Sequence, residues 1–396
     1  MHTTPNSPSA RLLDVTRLMS RAGRVLTGVD RVERAYLDAL IRDEVPLFLL
    51  ARSAFGYLLL DRDGARKFLK HVDSGDWGQP FGLSRLAYRL DPARQAAEAT
   101  VRALSIARCT RRRLVAMLSW NLPAGTTYLN LGHTNLTDRV LMAVRSLPDA
   151  RVTVFIHDTI PLDLPHMQRT GSVPRFASFL SRAALADRVL TSSQAVLDSL
   201  EHHIDSVPPV TVAPLGVDLT VPRPEQVPAE LPPPGPYFVV LGTIEPRKNH
   251  ALLLDIWEEL EAEATLLILG SRGWNNEDVF ARLDAEPQGV IEVAGLSDGA
   301  VASLLQGARA LLFPSLAEGF GLPLIEAAAL GTPVVCGDLA ICREVLGDRG
   351  IYLATDDRYL WINTINELAE QAPQNVFPSS AVPQWSDHFK IVLSVT

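Results

Sequence analysis

Two carboxylates eight residues apart, Glu318 and Glu326, flank a stretch whose other residues define a loop running into a helix. In LLFPSLAEGFGLPLIEAAALGTPVV (311–335) a short apolar run ends at Ser315, and a loop then carries Glu318, Gly319, Phe320 and Gly321. A helix is expected from about Leu322. Pro323 falls in its first turn, where a missing N–H costs nothing, and Gly331 followed by Pro333 stops it. Gly319 and Gly321 let the backbone approach a bound group closely. The amides of Phe320, Gly321 and Leu322 lie at the positive end of the helix, free to donate to an anion or to sugar hydroxyls. Glu326 lies one turn further on, facing the same side. An ionised carboxylate only accepts hydrogen bonds, so it suits the paired hydroxyls of a ribose or hexose. Either glutamate alone reads more readily as a favourable charge near a helix start. The glycines, the proline and the helix stop together favour a binding site.

A second constellation is LGTIEPRKNH (241–250), where an apolar strand meets a turn with Pro246, two cations, Arg247 and Lys248, and then Asn249 as a helix cap. A planar guanidinium fork beside a point-charge ammonium suits a diphosphate. The same pair would stabilise charge growing on a departing phosphate.

These residues need a scaffold. Before residue 220, candidate strands at 11–16, 46–51, 126–131, 152–156, 188–191 and 210–213 alternate with amphipathic stretches such as 29–41, 136–144 and 195–200. Such alternation predicts βαβ units and a parallel sheet covered on both faces. Residues 221–236 hold seven prolines and read as a linker. Alternation then resumes, with strands at 237–242, 265–270, 290–295, 311–315 and 333–336, and helices near 249–261, 298–306, 322–330 and 358–371. The fold class is therefore α/β, with two Rossmann-like α/β/α domains facing each other across a cleft. The expected bounds are an acceptor-binding domain over 1–220, the linker over 221–236, a nucleotide-sugar-binding domain over 237–375, and a tail over 376–396.

With 47% hydrophobic and 21% charged residues, the composition is that of a folded globular protein. No apolar run is long enough to span a membrane, and the first fifteen residues lack the apolar core of a secretory leader. These features predict a cytoplasmic protein. Cys109, Cys336 and Cys342 form no CxxC pair and are expected as reduced thiols. The histidines show no metal-ligand spacing, so no metal is expected. Net charge is −8, unevenly divided: the half up to residue 220 is basic and the remainder strongly acidic. Arg108, Arg111, Arg112 and Arg113, followed by the apolar stretch 114–120, are the local candidate for an anionic partner, such as the inner face of a membrane. A solvated helix face accounts for the same cluster. No nucleic-acid-binding motif is present.

On EGFGLPLIE (318–326), GTIEPRKN (242–249) and VAGLSD (293–298), the chain resembles the retaining glycosyltransferases of family four, which have the GT-B fold. The resemblance is strong over 237–350 and weaker over 11–218. It implies an E-x7-E pair in which Glu326 binds the donor's ribose and Glu318 the donor sugar. Arg247 and Lys248 would hold the diphosphate, and the backbone of Phe320, Gly321 and Leu322 would contact the donor. Where many members carry an arginine after the first strand of this domain, this chain has Thr243. In the first half, VFIHDTIPL (154–162) makes His157 the counterpart of the family's active-site histidine. TGVDRVERAYLDAL resembles its glycine loop, with Gly28 facing the cleft and Asp30 and Arg31 within reach of acceptor or phosphate. Arg31 and Arg34 fit equally on a solvated helix face. His133, at another strand end, and Trp274, near the base, are further candidates, each as readily structural. Ser192, Ser193 and 215–218 match landmarks of structural character.

The implied activity is metal-independent transfer of a hexose, with retention, from a nucleotide sugar to a glycan or lipid-linked acceptor. No dissociable cofactor is implied. The EPRKN setting looks most like bacterial mannosyltransferases of surface polysaccharide, which favours GDP-mannose. The alternatives are a sugar phosphorylase or nucleotide-sugar epimerase on the same fold, or a catalytically silent sugar-binding protein.

Overall fold

A computed structural model of the protein describes residues 7–371 and 382–396. Its strands form two sheets. The first contains β1 (Ala10–Asp14), β2 (Leu47–Ser53), β3 (Gly56–Leu60), β4 (Ala107–Cys109), β5 (Thr126–Asn130), β6 (Arg151–Ile156), β7 (Arg188–Thr191) and β8 (Val210–Val212), in the order β4-β3-β2-β1-β5-β6-β7-β8. The second contains β9 (Tyr237–Leu241), β10 (Thr265–Leu269), β11 (Val290–Val293), β12 (Leu311–Phe313), β13 (Val334–Gly337) and β14 (Gly350–Leu353), in the order β11-β10-β9-β12-β13-β14.

The second sheet is parallel throughout, and so is the first from β2 to β8. Strands β1, β3 and β5 are fully buried, because helices cover both faces. The continuous apolar runs that marked these strands in the sequence follow from that burial. The all-parallel expectation fails at one edge: β3 and β4 run antiparallel to their neighbours. A two-residue reversal, Ala54–Phe55, folds β3 back on β2. Gly56 permits the edge to close, since a Cβ there would stand 2.0 Å from the carbonyl oxygen of Cys109.

The Pro-rich stretch 221–236 is not a free tether. The Arg223 amide donates to Gly299 O at 3.0 Å, and Gln226 accepts from the Ser297 hydroxyl at 2.5 Å, which lays the stretch along the helix Asp298–Gly307.

A larger departure concerns the C-terminal end, read as a polar tail over 376–396. Residues 376–381 of that span lie outside the described residues, but Trp385–Leu393 is a helix packed on the first domain. His388, 1% exposed, meets the Tyr36 hydroxyl at 2.8 Å and the carbonyls of Ala213 and Pro214. Arg11 donates to the Thr396 carbonyl at 3.2 Å, and the Trp385 indole donates to Asp218. The chain therefore starts in the first domain, builds the second, and returns to the first. Polar residues at 384–388 hid this helix, because its apolar face consists of few residues and two of its contacts are made by His388 and Trp385.

Gly216 is where the returning helix presses hardest: an added Cβ would lie 2.2 Å from the Trp385 nitrogen. Overfilling a packed contact of this kind costs about 1–3 kcal/mol. Gly216→Ala is therefore expected to lower the melting temperature by several degrees. An unchanged melting curve would show that the returning helix is not clamped there.

Candidate active site

The C-terminal ends of the parallel strands in the two sheets face each other, and the candidate residues gather along the seam between them. A cavity of about 590 Å³ opens there. The first domain contributes Arg21, Thr27, Gly28 and Arg31; the second contributes Gly242, Thr243, Gly270, Asp298, Leu322 and Glu326. Of the residues singled out in the sequence, Gly28, Thr243, Leu322 and Glu326 thus line one space.

Its floor is the loop–helix junction read from the sequence. The helix Leu322–Ala329 begins after Gly321, which is left-handed (φ 79°), with a proline in the first turn. The amides of Phe320, Gly321 and Leu322 have no hydrogen-bond partner among the described residues. They form the positive end of the helix. The Phe320 side chain is buried, so only its backbone can meet a ligand.

Glu326 is not idle. Arg31 of the first domain donates to its carboxylate at 2.9 Å and reaches Asp298 at 3.3 Å. Burial pushes the Glu326 carboxyl up, and Arg31 pulls it back down. The solvated-face reading of Arg31 therefore fails, because it bridges the seam. Arg34 pairs with Asp73 within its own domain and stays out of the cavity. Asp30 is fully buried; it accepts from the Thr27 amide at 2.8 Å and pairs with Arg17 and Arg21 at 2.6 and 2.8 Å. It fixes the start of the helix Gly28–Arg42 and is not open to phosphate or acceptor, contrary to the expectation.

Beside the cavity lies the cation pair. Arg247 and Lys248 sit in a tight turn, Pro246–Lys248, after β9. Both donate to the same Glu318 oxygen at 2.6 Å. Arg247 also binds Glu245 at 2.5 Å and the Ala317 carbonyl at 2.7 Å. Burial pushes the Glu318 carboxyl up, but Lys248 and Arg247 outweigh it and hold the group below the usual carboxylate range. The Lys248 ammonium stands 4.2 Å over the Phe313 ring. It lies directly behind the cavity wall: a Cβ on Gly242 would be 3.5 Å from Lys248 Cε. Asn249 holds the cap position of the next helix in a left-handed conformation (φ 54°) and makes no side-chain cap bond, so the expected Asn cap is replaced by a backbone turn.

Across the seam from Glu318 stand His157 and Asp158, just past β6. Gly319 makes this approach possible, since a Cβ there would lie 2.5 Å from the His157 carbonyl oxygen. Burial pulls the His157 pKa down to about 4, so the ring is neutral near pH 7. Its Nε2 lies 2.7 Å from the Leu131 carbonyl and must carry the proton. Nδ1 is then an acceptor, able to take a hydroxyl proton but not to supply one. His133 packs behind it, 5.0 Å ring to ring, as a supporting residue. Asp158, missed in the sequence although it adjoins His157, is pushed up from 3.8 to about 6 by burial, with Arg247 opposing. Its signal is chemical: it is an acid next to a strand-end histidine.

Trp274 lies away from the cavity. Its indole donates to the Met167 carbonyl at 3.3 Å, and Arg169 stacks 4.2 Å over it. Ser193 caps the helix Gln194–His203, and the amides of Gln194 and Ala195 in that helix also donate to Glu344 of the second domain at 2.8 and 3.0 Å. These are contacts between the halves rather than ligand sites.

Two Rossmann-like domains meeting at the C-terminal ends of their parallel strands, with an open helix terminus and a cation pair on the second, define the GT-B class of fold. The same architecture is seen in Anabaena HepE, solved with UDP-glucose, which aligns over 96% of this chain and 95% of its own at a TM-score of 0.60 and 15% identity. Residues 235–371 match the family model described as glycosyl transferases group 1. Among curated proteins, the chain is 33% identical over 253 residues to the serotype-specific mannosyltransferase WbdA of Escherichia coli, covering 58% of this chain and 31% of that one. It is 35% identical over 127 residues to the O-antigen chain mannosyltransferase B of Escherichia coli, covering 31% of this chain and 33% of that one. The matches thus span about a third of the length of these relatives.

The raised pKa of Asp158 fixes a sign. Between pH 4 and 6 the folded protein binds more protons at this group than the unfolded chain, so stability falls as pH rises through that window. Asp158→Asn cannot ionise there. Its melting temperature is expected to match wild type near pH 4 and to exceed it near pH 7. A difference that does not change with pH would show that the Asp158 carboxyl titrates normally.

Proposed function

We propose that the protein is a retaining, metal-independent hexosyltransferase that takes mannose from GDP-mannose and passes it to a glycan or lipid-linked acceptor of bacterial surface polysaccharide. The observation that carries this reading is the junction of Glu326 and Leu322, the first residue of the helix, in one cavity with Gly28 and Thr243, with the unpartnered amides of Phe320 and Gly321 beside it and the Glu318–Lys248 pair behind. The mannosyltransferase relatives support the choice of sugar.

In this reading the nucleoside enters the cavity and its ribose hydroxyls donate to Glu326. The diphosphate passes beside Gly242 toward Lys248 and Arg247. Both cations are paired with Glu318 in the donor-free protein, Arg247 also with Glu245, so the phosphate exchanges for the Glu318 carboxylate as counter-ion. Glu318 is then free to accept hydroxyls of the hexose, opposite His157 Nδ1. As the glycosidic bond breaks, charge grows on the diphosphate, where buried cations and helix-start amides act strongly because water is excluded. The acceptor approaches from the first domain, and its attack on the face of the departing phosphate preserves the anomeric configuration.

Lys248→Met keeps the stem over Phe313 and removes the charge. It is expected to cut kcat at least tenfold, ~1.4 kcal/mol of barrier, in single-turnover assays with GDP-mannose; full turnover would take Lys248 out of the reaction. The donor itself is read by thermal shift against GDP, UDP, ADP and their sugars, because a ligand selective for the folded state at a hundred times its Kd adds ~2.7 kcal/mol. GDP-mannose is expected to raise the melting temperature most, and Glu326→Ala to abolish that shift. Equal shifts with every nucleotide would refute the base assignment.

A further inference from the structure

The antiparallel edge of the first sheet carries a feature that sugar transfer does not use. A groove of about 720 Å³ opens between the β2–β3 turn, β4 and the segment 81–83, lined by Phe55, Tyr57, Phe81, Leu83, Arg102 and Arg108. Arg102 reaches only the Ser53 hydroxyl, at 3.3 Å, and its buried Nε has no partner among the described residues. Arg108 lies beside it and makes no ion pair among the described residues. Just outside follow Arg111, Arg112 and Arg113, all exposed and likewise unpaired. Residues 81–120 hold eight arginines and two acids, Asp91 and Glu98. Asp91 accepts from the Arg94 amide, and Glu98 is buried against Arg94 and the Ala54 amide. Of the eight arginines, only Arg94 makes an ion pair among the described residues.

A run of arginines alone describes a solvated face. This one is interleaved with apolar side chains that the fold leaves outside: Trp120 is 84% exposed, Tyr88 79% and Leu86 64%, with Phe55, Phe81 and Leu83 also in solvent. Trp and Tyr with one apolar and one wet end, among arginines, match the interfacial layer of a bilayer. The placement is consistent. Strand β2 is parallel to β1, and Ser53, Gly56 and Cys109 lie together at the C-terminal end of β2, the end at which β1 and β6 deliver the seam residues. A surface docked on this edge therefore meets the first sheet at the same end as His157, across the sheet from it.

We propose that this edge is a docking face for an anionic phospholipid bilayer: lipid phosphates meet Arg102, Arg108 and Arg111 to Arg113, and Trp120, Tyr88 and Phe81 enter the interface. The site is separate from the cavity that binds the donor, so its test does not depend on the transferase reading.

The full chain is sedimented with vesicles of phosphatidylcholine alone and with vesicles containing phosphatidylglycerol, at low and high salt. Binding is expected only to the anionic vesicles and should fall at high salt. Arg112→Glu/Arg113→Glu should weaken it at least about tenfold, and Trp120→Ser should weaken it without changing the salt dependence. Melting curves with GDP-mannose should be the same for wild type and variants, showing that the fold and the donor cavity are intact. Arg102→Gln serves as a second variant if charge reversal prevents folding, with the same loss expected. Equal binding to neutral vesicles, or undiminished binding by the variants, would overturn the proposal. So would a shift in melting temperature with a short-chain, monomeric phosphatidylglycerol and no vesicle binding, which would mark a pocket for single lipids.

Discussion

The seam is organised by one arrangement of charge: Glu318 shared between Arg247 and Lys248, inside the second domain and nearly out of water. Desolvating two cations is costly unless a carboxylate meets them, and removing one member of such a set strands the others. That need dictates much of the local backbone. Lys248 must turn inward behind Gly242, Arg247 must reach both Glu245 and the loop before Gly319, and that loop must press close enough for the Arg247 carbonyl to accept the Leu316 amide at 2.9 Å. Two loops from different βα units are thereby locked together, which holds the Phe320–Leu322 amides in place beside the cavity.

Each acidic residue of the pair is thus answered by a cation, but from different places. Glu318 is answered within its own domain and Glu326 by Arg31 across the seam. The first pairing stiffens a site; the second joins two bodies. With the Glu344 contact to the Gln194 and Ala195 amides and the Trp274–Met167 contact, Arg31 adds polar links to an apolar cluster that runs through both halves.

The second domain was legible from sequence because each of its signals was local. The strands were continuous apolar runs, the glycine–proline punctuation of 319–333 set a turn and a helix within a few residues, and Glu318 and Glu326 were spaced by that geometry. What stayed hidden was long-range. Nothing near Arg31 shows that its partner lies 295 residues away. Asp30 looked like a ligand because the same residue type caps helices and binds phosphates or sugars. Strands β3 and β4 escaped because β4 has only three residues and pairs across a helical insertion. The helix Trp385–Leu393 escaped because the surface it covers belongs to the opposite end of the chain.

That helix has a mechanical consequence. The polypeptide passes from the first domain to the second along 217–236 and comes back before Trp385, so two covalent strands tether the halves. A body tethered at one point can swivel freely, whereas one tethered at two is more restricted. Two connections leave fewer relative orientations open to the halves than one would, which favours the register that sets His157 opposite Gly319 and Gly28 opposite Leu322.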